Sequence, residues 1–178
     1  DLSGGLDGYL SRRSRNFRKS LRGAVRRCEQ AGIELACLDT VAPEAIDDVF
    51  ERLMAIEARS WKGMLGEGVN EGPMREFYAR MLPRLRARGA LRLMIARSDG
   101  EDIGFILGGI AGDTYRGLQF SFDRERANLG LGNFMQWQQI MGLIEEGIRH
   151  YDLGTEVEYK RRWGEVGLET GLLTVAPI

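Results

Sequence analysis

The sequence has few of the residues that build common metal and nucleophile sites. Its 178 residues include two cysteines, Cys28 and Cys37, and a single histidine, His150. One histidine cannot form a histidine cluster, and no serine or cysteine has an identifiable base near it in sequence. The two cysteines are not spaced as metal ligands, so they indicate burial or a reducing compartment. We therefore expect a cytoplasmic protein whose chemistry uses no metal.

Long apolar runs and a strong net charge are also missing. No run is long enough to cross a bilayer and no signal-peptide core is present, so no membrane span is expected. The formal net charge of −1 gives no general reason to expect nucleic-acid binding. The length suits one domain with a proper core. The chain begins at Asp1 without a methionine, so we expect it to be part of a longer protein.

Positive charge is nevertheless concentrated near the start of the chain. Before Glu29, eight basic residues stand against only Asp1 and Asp7. This pattern predicts either a solvated helix face or a site for an anionic partner such as RNA, a lipid head group or an acidic polysaccharide. The basic residues are Arg12, Arg13, Arg15, Arg18, Lys19, Arg22, Arg26 and Arg27.

Apolar residues at helical spacing predict one helix over residues 9–31, stopped by Gly32. Residues 1–32 are thus predicted to be a basic N-terminal helical arm, with the main domain over residues 33–178. Periodicity in that domain predicts a strand, two helices, three antiparallel strands, a helix, a strand parallel to the third, a short helix and a last strand. Their ranges are 33–38, 43–57, 74–88, 91–97, 102–111, 114–123, 134–147, 150–154, 158–163 and 168–175.

A glycine turn joins the third of the antiparallel strands to the next helix. It consists of Leu129, Gly130, Leu131, Gly132 and Asn133. Free N–H groups and the helix dipole at such a turn can hold phosphate oxygens. A Gly-x-Gly turn alone is a weak signal, because any tight strand-to-helix turn uses it. The P-loop lysine and the dinucleotide fingerprint are both missing.

Glu57 is a carboxylate on a helix stripe that is predicted to face the core. Burying a carboxylate is costly without partners, and a desolvated one tends toward a raised pKa, which makes Glu57 a candidate general base. The alternative is a helix-end glutamate paired with Arg59, Lys62 or another base. Trp61 and Lys62 open a glycine-rich loop, where the pair either clamps a ligand or the tryptophan fills the core.

The order of these elements resembles the GNAT acyltransferase superfamily, and in detail its CelD-like and FemAB-like acetyltransferase branch. By this resemblance the fold class is mixed α/β (α+β), with a mostly antiparallel sheet flanked by helices, and residues 33–178 form the acyltransferase domain. The matching stretches cover nearly the whole chain. They are the basic helix over 11–18 leading to 31–35, residues 57–63, Gly132 with its helix, residues 151–154 and residues 158–163.

The resemblance implies an acyl-CoA donor, such as acetyl-CoA, in a cleft where the third antiparallel strand and the next strand splay apart. The strand near Phe120 to Phe122 would offer N–H groups to the thioester oxygen. The pyrophosphate would lie on amides of the turn, at Gly130, Leu131, Gly132 and Asn133. An amine of a sugar, a polysaccharide precursor or a small metabolite would attack after losing a proton to a carboxylate or its water.

The resemblance also implies roles for particular side chains. Tyr159 stands where many superfamily members keep a tyrosine that protonates the leaving thiolate. Glu57 or Asp152 would be the base, and Trp61, Lys62 and Lys160 would bind the acceptor.

One departure from the superfamily pattern leaves two alternatives open. Ala127 occupies the position of the usual Arg or Gln, and Arg126 comes one residue too early. Some branch members use aminoacyl-tRNA, so the first alternative is a FemAB-like peptidyl transferase whose arginine helix meets RNA. The second is a non-catalytic GNAT-like module in polysaccharide assembly.

Overall fold

The computed structural model describes residues 1–155, 157–165 and 167, and the strand predicted over 168–175 lies outside them. The α-helices are α1 (Gly5–Ser11), α2 (Arg15–Gln30), α3 (Ile46–Arg59), α4 (Trp61–Met64), α5 (Gly72–Ala87) and α6 (Leu131–Glu145). The strands are β1 (Glu34–Cys37), β2 (Leu91–Ser98), β3 (Glu101–Ala111), β4 (Thr114–Phe122) and β5 (His150–Asp152). Short 3-10 helices cover Pro43–Ala45, Arg124–Leu129 and Glu158–Arg162.

The strands form a single sheet in the order β1-β2-β3-β4-β5. Every neighbouring pair is antiparallel except β4 and β5, which are parallel because α6 carries the chain across between them. The tight turn between β2 and β3 has positive φ at Asp99 and Gly100, as a two-residue hairpin turn requires. The predicted fold class, a mostly antiparallel sheet flanked by helices, is confirmed.

Strands β4 and β5 pair over only three residues, 114–116 of β4 against 150–152. On its other side β4 carries a bulge, because Leu107 pairs with Gln119 while Gly108 pairs with Gly117, leaving Leu118 as an extra residue. A bulge bends its strand. Residues 117–122 therefore diverge from β5, which produces the predicted opening between these two strands.

Helices cover both faces of the sheet. Leu53 of α3 and Leu82 of α5 pack on one face with Ile95 of β2, and Leu131 and Met135 of α6 pack on the other with further strand residues. Strands with two covered faces read as nearly continuous apolar runs, as β2 and β3 do here. Each fully buried side chain of this size contributes about 1.5–3 kcal/mol.

The N-terminal region differs from its prediction. Residues 9–31 do not form one helix, because the chain breaks between α1 and α2. Ser14 is extended there (φ −61°, ψ 153°), and its Oγ accepts a hydrogen bond from the Phe17 amide at 3.1 Å. A serine cap of this kind begins a helix instead of continuing one. The predicted stop is confirmed, since α2 ends at Gln30 and Gly32 has a φ of 64°.

Three smaller predictions also need correction. Phe77 is one of the apolar residues whose spacing predicts the inward face of helix 74–88, but it is 53% exposed. Trp61 is 51% exposed and does not fill the core. The 3-10 helix Arg124–Leu129 separates β4 from the glycine turn, where the sequence pattern indicated a direct junction.

Helix α2 packs closely against the rest of the molecule. Its residues Leu21, Ala24 and Cys28 are buried, and Cys28 lies in the same core cluster as residues of α6. The division of the chain at residue 32 stays a prediction. Within the described residues, no helix has both the length and the apolar character needed to cross a membrane.

We expect Gly108→Ala to lower the free energy of unfolding by about 1–3 kcal/mol, the usual range for overpacking a core. A Cβ at this position of β3 would lie 2.2–2.3 Å from ring atoms of the fully buried Tyr115, which has no room to move. Urea unfolding followed by circular dichroism measures the change.

The matched control is Gly142→Ala, in the interior of α6, where no atom of the described residues beyond the nearby backbone of α6 itself and the two chain neighbours lies within 4 Å of the added carbon. Alanine is the better helix former, so this variant should gain up to about 1 kcal/mol. Equal effects at the two positions would contradict the packing described here.

Candidate functional site

A cavity of about 120 Å³ lies in the opening between β4 and β5. Residues 117–120 of β4 form one wall, and Tyr151 and Leu153 lie opposite. Three residues selected from the sequence, Lys62, Tyr159 and Lys160, line it together although they are distant along the chain.

Lys62, in the short helix α4, reaches the open edge of β4. Its Nζ donates a hydrogen bond to the Phe120 carbonyl oxygen at 3.0 Å and lies 3.6 Å from Oε1 of Glu57. Ser60 caps α4 by accepting a hydrogen bond from the Gly63 amide, which positions this turn of helix. Burial lowers the pKa of Lys62 more than the Glu57 carboxylate raises it, and the charge of Lys160 lowers it further.

Glu57 lies directly behind the cavity wall and is fully buried. Its Oε1 accepts hydrogen bonds from Nε2 of Gln119 at 3.0 Å and from the Val69 amide at 3.2 Å. Its Oε2 is buried and has no hydrogen-bond partner among the described residues. The predicted burial of Glu57 is confirmed, as is the alternative pairing with Lys62. Its role in proton transfer stays a prediction.

The open edge of β4 presents backbone groups to the cavity. The N–H and C=O of one residue in an extended strand point to the same edge, so the Phe120 amide faces the side where its carbonyl meets Lys62. Phe122, two residues on, shares this orientation. The rings of both phenylalanines lie beneath the glycine turn, since a Cβ on Gly132 would be 3.1 Å from Phe122 and 3.3 Å from Phe120. The strand edge and the turn are thus adjoining surfaces.

Three of the four amides predicted to hold phosphate belong to the first turn of α6, and the fourth belongs to Gly130 before it. Gly130 adopts the left-handed conformation, φ 73°, and its own N–H donates to the Ala127 carbonyl at 3.2 Å, so the expectation of a free amide at Gly130 is wrong. Among the described residues, no side chain caps α6. The amides of Leu131, Gly132 and Asn133 lie in the first turn of α6, where the helix provides no acceptor of its own.

An arginine lies beside this turn, although it comes from α2 and not from position 127. Nε of Arg27 donates to the Leu129 carbonyl at 3.2 Å. Its Nη2 would be 2.9 Å from a Cβ on Gly130. Sequence reasoning assigned Arg27 only to the basic helix, because nothing local relates it to a turn so far along the chain.

The remaining predicted residues, Tyr159, Lys160 and Asp152, differ in how well their surroundings fit the roles predicted for them. Tyr159 lines the cavity and is 55% exposed, and burial of the rest of the side chain raises its pKa. Nζ of Lys160 donates to the Thr155 carbonyl at 3.0 Å. Burial alone would raise the pKa of Asp152, but hydrogen bonds from the Gly154 amide and the Arg116 guanidinium lower it. A lowered pKa makes Asp152 a weaker base than an ordinary aspartate.

Sequence reasoning missed two glutamines at this site. Gln119 binds Glu57, and Gln136 of α6 lines the cavity with a buried Nε2 that has no partner among the described residues. The signal that could have found them is a polar amide at a position where periodicity predicts burial. In the described chain, no three His, Cys, Asp or Glu side chains come together as metal ligands would.

A family model for the acetyltransferase (GNAT) domain matches residues 15–161 of this chain. None of the curated proteins matches the chain in sequence.

Several solved structures are similar to this chain. The aminoglycoside acetyltransferase meta-AAC0020 from an uncultured soil metagenomic sample, in complex with sisomicin, has 9% identity and a TM-score of 0.58 over 85% of this chain and 99% of that chain. The C-terminal domain of a putative lysylphosphatidylglycerol synthetase from Agrobacterium fabrum has 15% identity and a TM-score of 0.55, over 78% of this chain and 41% of that one. The PaiA N-acetyltransferase from Thermoplasma acidophilum, in complex with coenzyme A, has 19% identity and a TM-score of 0.47, over 65% and 74%.

We expect the free energy of unfolding to increase more steeply with pH in the native chain than in the variant Lys62→Met. The difference should appear below pH 10.5, the ordinary pKa of lysine. Because folding lowers the pKa of Lys62, the unfolded chain binds more protons at this group between the folded-state pKa and 10.5. Stability therefore increases as pH rises through that window. Urea unfolding at several pH values from about 8 to 10 measures the difference in slope.

Lys19→Met, on the exposed surface of α2, controls for the loss of a lysine elsewhere. Parallel stability profiles for the native chain and Lys62→Met would contradict the buried, desolvated placement of Lys62.

Proposed function

The chain belongs to the acetyltransferase (GNAT) domain family, and on that premise we propose that it transfers an acetyl group from acetyl-CoA to an amine of a sugar, a polysaccharide precursor or another small metabolite. The observation that carries the proposal is the open edge of β4, where the Phe120 backbone faces a cavity backed by the buried carboxylate of Glu57. Amide groups on an open strand edge can stabilise the charge that develops on a thioester oxygen, and a buried carboxylate can accept the proton of an attacking amine.

The donor would lie along β4 and end at the glycine turn. The first-turn amides of Leu131, Gly132 and Asn133 and the guanidinium of Arg27 would hold its phosphates, with the Leu129 carbonyl orienting that guanidinium. The amides of Phe120 and Phe122 would stabilise the charge that develops on the thioester oxygen. Buried Nε2 of Gln136, which has no partner among the described residues, supports a polar ligand in the cavity.

The proton transfers would use opposite walls of the opening. Glu57 does not line the cavity, so it would accept the proton of the acceptor amine through Lys62 or through a water molecule. Tyr159 would protonate the leaving thiolate. Exposed Trp61 and the amine of Lys160 would contact the acceptor.

Two similarities favour particular classes of acceptor. The aminoglycoside acetyltransferase among the structural neighbours was solved with sisomicin, which favours a small amine acceptor. The CelD-like and FemAB-like resemblance favours a polysaccharide precursor.

Calorimetric titration with acetyl-CoA tests the donor, and Glu57→Gln tests the base. We expect donor binding, and we expect Glu57→Gln to lower kcat for amine acetylation by about 10²–10⁴-fold, because glutamine cannot accept the proton. Donor affinity should stay unchanged in this variant. Release of free thiol with a panel of amino sugars and aminoglycosides measures turnover.

The matched control is Glu76→Gln, an exposed carboxylate on α5, which should leave kcat unchanged. No heat of binding at millimolar acetyl-CoA would remove the proposal and would favour a non-catalytic module. Full activity in Glu57→Gln would remove Glu57 from the mechanism.

An aminoacyl-tRNA donor is the second candidate, favoured by a row of arginines on α2. Arg18, Arg22 and Arg26 follow at four-residue spacing and border a groove of about 420 Å³ that also contains Trp137. Arginines can meet phosphates and a tryptophan can stack on a base. The row is on a helix that packs on α6, so RNA bound there would lie against the same domain.

If this second candidate is correct, RNA affinity should fall steeply with salt, and changing Arg18, Arg22 and Arg26 together to glutamine should reduce the salt slope by about 2–3. The control changes Arg80 and Arg84 of α5 and Arg88, the residue that follows it, to glutamine; these three are exposed and have identical spacing. Equal losses for the two rows, or no RNA retention by the native chain, would contradict it. Filter binding at several salt concentrations makes the measurement.

A further inference from the structure

We propose that Lys62 is itself an acyl acceptor, so that the cleft contains a self-acylation site. The inference rests on the proposed function, because the acyl group must come from a bound acyl thioester. It goes beyond that function because the acceptor is a residue of the chain.

The position of the Lys62 amine is the first support. Its Nζ lies 3.0 Å from the Phe120 carbonyl, on the same strand edge as the Phe120 amide that is proposed to hold the thioester oxygen. An amine at this place occupies the region that a substrate amine must enter. An amine that is held next to the thioester reacts as fast as a free amine would at a very high concentration.

The other two lysines of the chain are placed differently. Lys19 is exposed on α2, and Nζ of Lys160 is turned to the Thr155 carbonyl at 3.0 Å. Lys62 is four-fifths buried at the cavity wall, so its amine is held and not free to leave for solvent.

A proton acceptor is also in place. Oε1 of Glu57 lies 3.6 Å from Nζ, and Oε2 of the same carboxylate is buried without a partner in the described part of the chain. Burial lowers the pKa of Lys62, which makes the neutral, nucleophilic amine easier to form.

The reaction balances without any further reactant. The Lys62 ammonium gives one proton to Glu57, and the freed electron pair of Nζ forms a bond to the thioester carbonyl carbon. The carbon–sulfur bond breaks and its electron pair leaves with sulfur. The second proton lost by Nζ goes to that thiolate, so the products are Nε-acetyl-Lys62 and the free thiol of coenzyme A.

Acetylation of Lys62 would block the cavity in which the reaction takes place. The amide carries no positive charge, so Glu57 would lose its cation, and the acetyl group would enter a cavity of only about 120 Å³. An amide is far less reactive than a thioester, so the acetyl group would stay on Lys62 and not pass to a second amine. A good acceptor amine would compete with Lys62 and slow this modification.

Mass spectrometry of the full chain after incubation with acetyl-CoA tests the inference. We expect the intact mass to rise by one acetyl group and peptide mapping to place it on Lys62. The matched variants are Lys62→Arg, which should not gain the group, and Lys19→Arg on the exposed surface of α2, which should gain it as the native chain does. Glu57→Gln should slow the modification by about tenfold or more.

The native chain unfolded in urea measures the rate of uncatalysed acetylation at the same lysine. Folded protein should modify Lys62 at least about tenfold faster. Equal rates in the two states, or acetylation spread evenly over Lys19, Lys62 and Lys160, would overturn the inference even if Lys62→Arg fails to fold.

Calorimetry on the same sample separates the two proposals. Donor binding with Lys62 unmodified would overturn self-acylation and leave the transferase function standing. No donor binding would overturn both.

Discussion

The unpaired edge of β4 is the constraint on which the rest of the structure depends. Parallel pairing with β5 ends after three residues, and the bulge at Leu118 bends β4 away from it. Backbone groups at Phe120 and Phe122 then have no strand partner within the described ranges, a state that a protein normally avoids in its interior. Lys62 can bind this edge, and the glycine turn can lie next to it, because the sheet leaves the edge open.

The ion pair of Glu57 and Lys62 is best explained by chemistry and not by stability. Desolvating two charges is expensive, and a buried pair is often no better for stability than apolar residues of the same volume. Here the carboxylate still has one oxygen without a partner among the described residues, while the lysine has a lowered pKa. A pair that is incompletely satisfied next to a cavity supports proton transfer, which is the role proposed for Glu57.

Much of the fold followed from local patterns. The inward stripe that contains Glu57, the hairpin turn at Asp99 and Gly100, and the parallel placement of β5 were all predictable, because periodicity and turn residues act between close neighbours. The break at Ser14 was not predicted, since a capping serine also fits inside a helical pattern of charged residues. The contact of Arg27 with the glycine turn was missed for a different reason: its partner Leu129 is 102 residues away.

The amino-acid order alone was sufficient for the element types, the crossover and the glycine turn, because these depend on residues a few positions apart. The cleft itself depends on contacts between distant residues: Lys62 with Phe120 across 58 positions, and Glu57 with Gln119 across 62. Such contacts are set by how α3 and α4 pack on the sheet and by the bulge that bends β4. Packing determines which side chains meet at the open edge, and no local pattern in the chain carries that information.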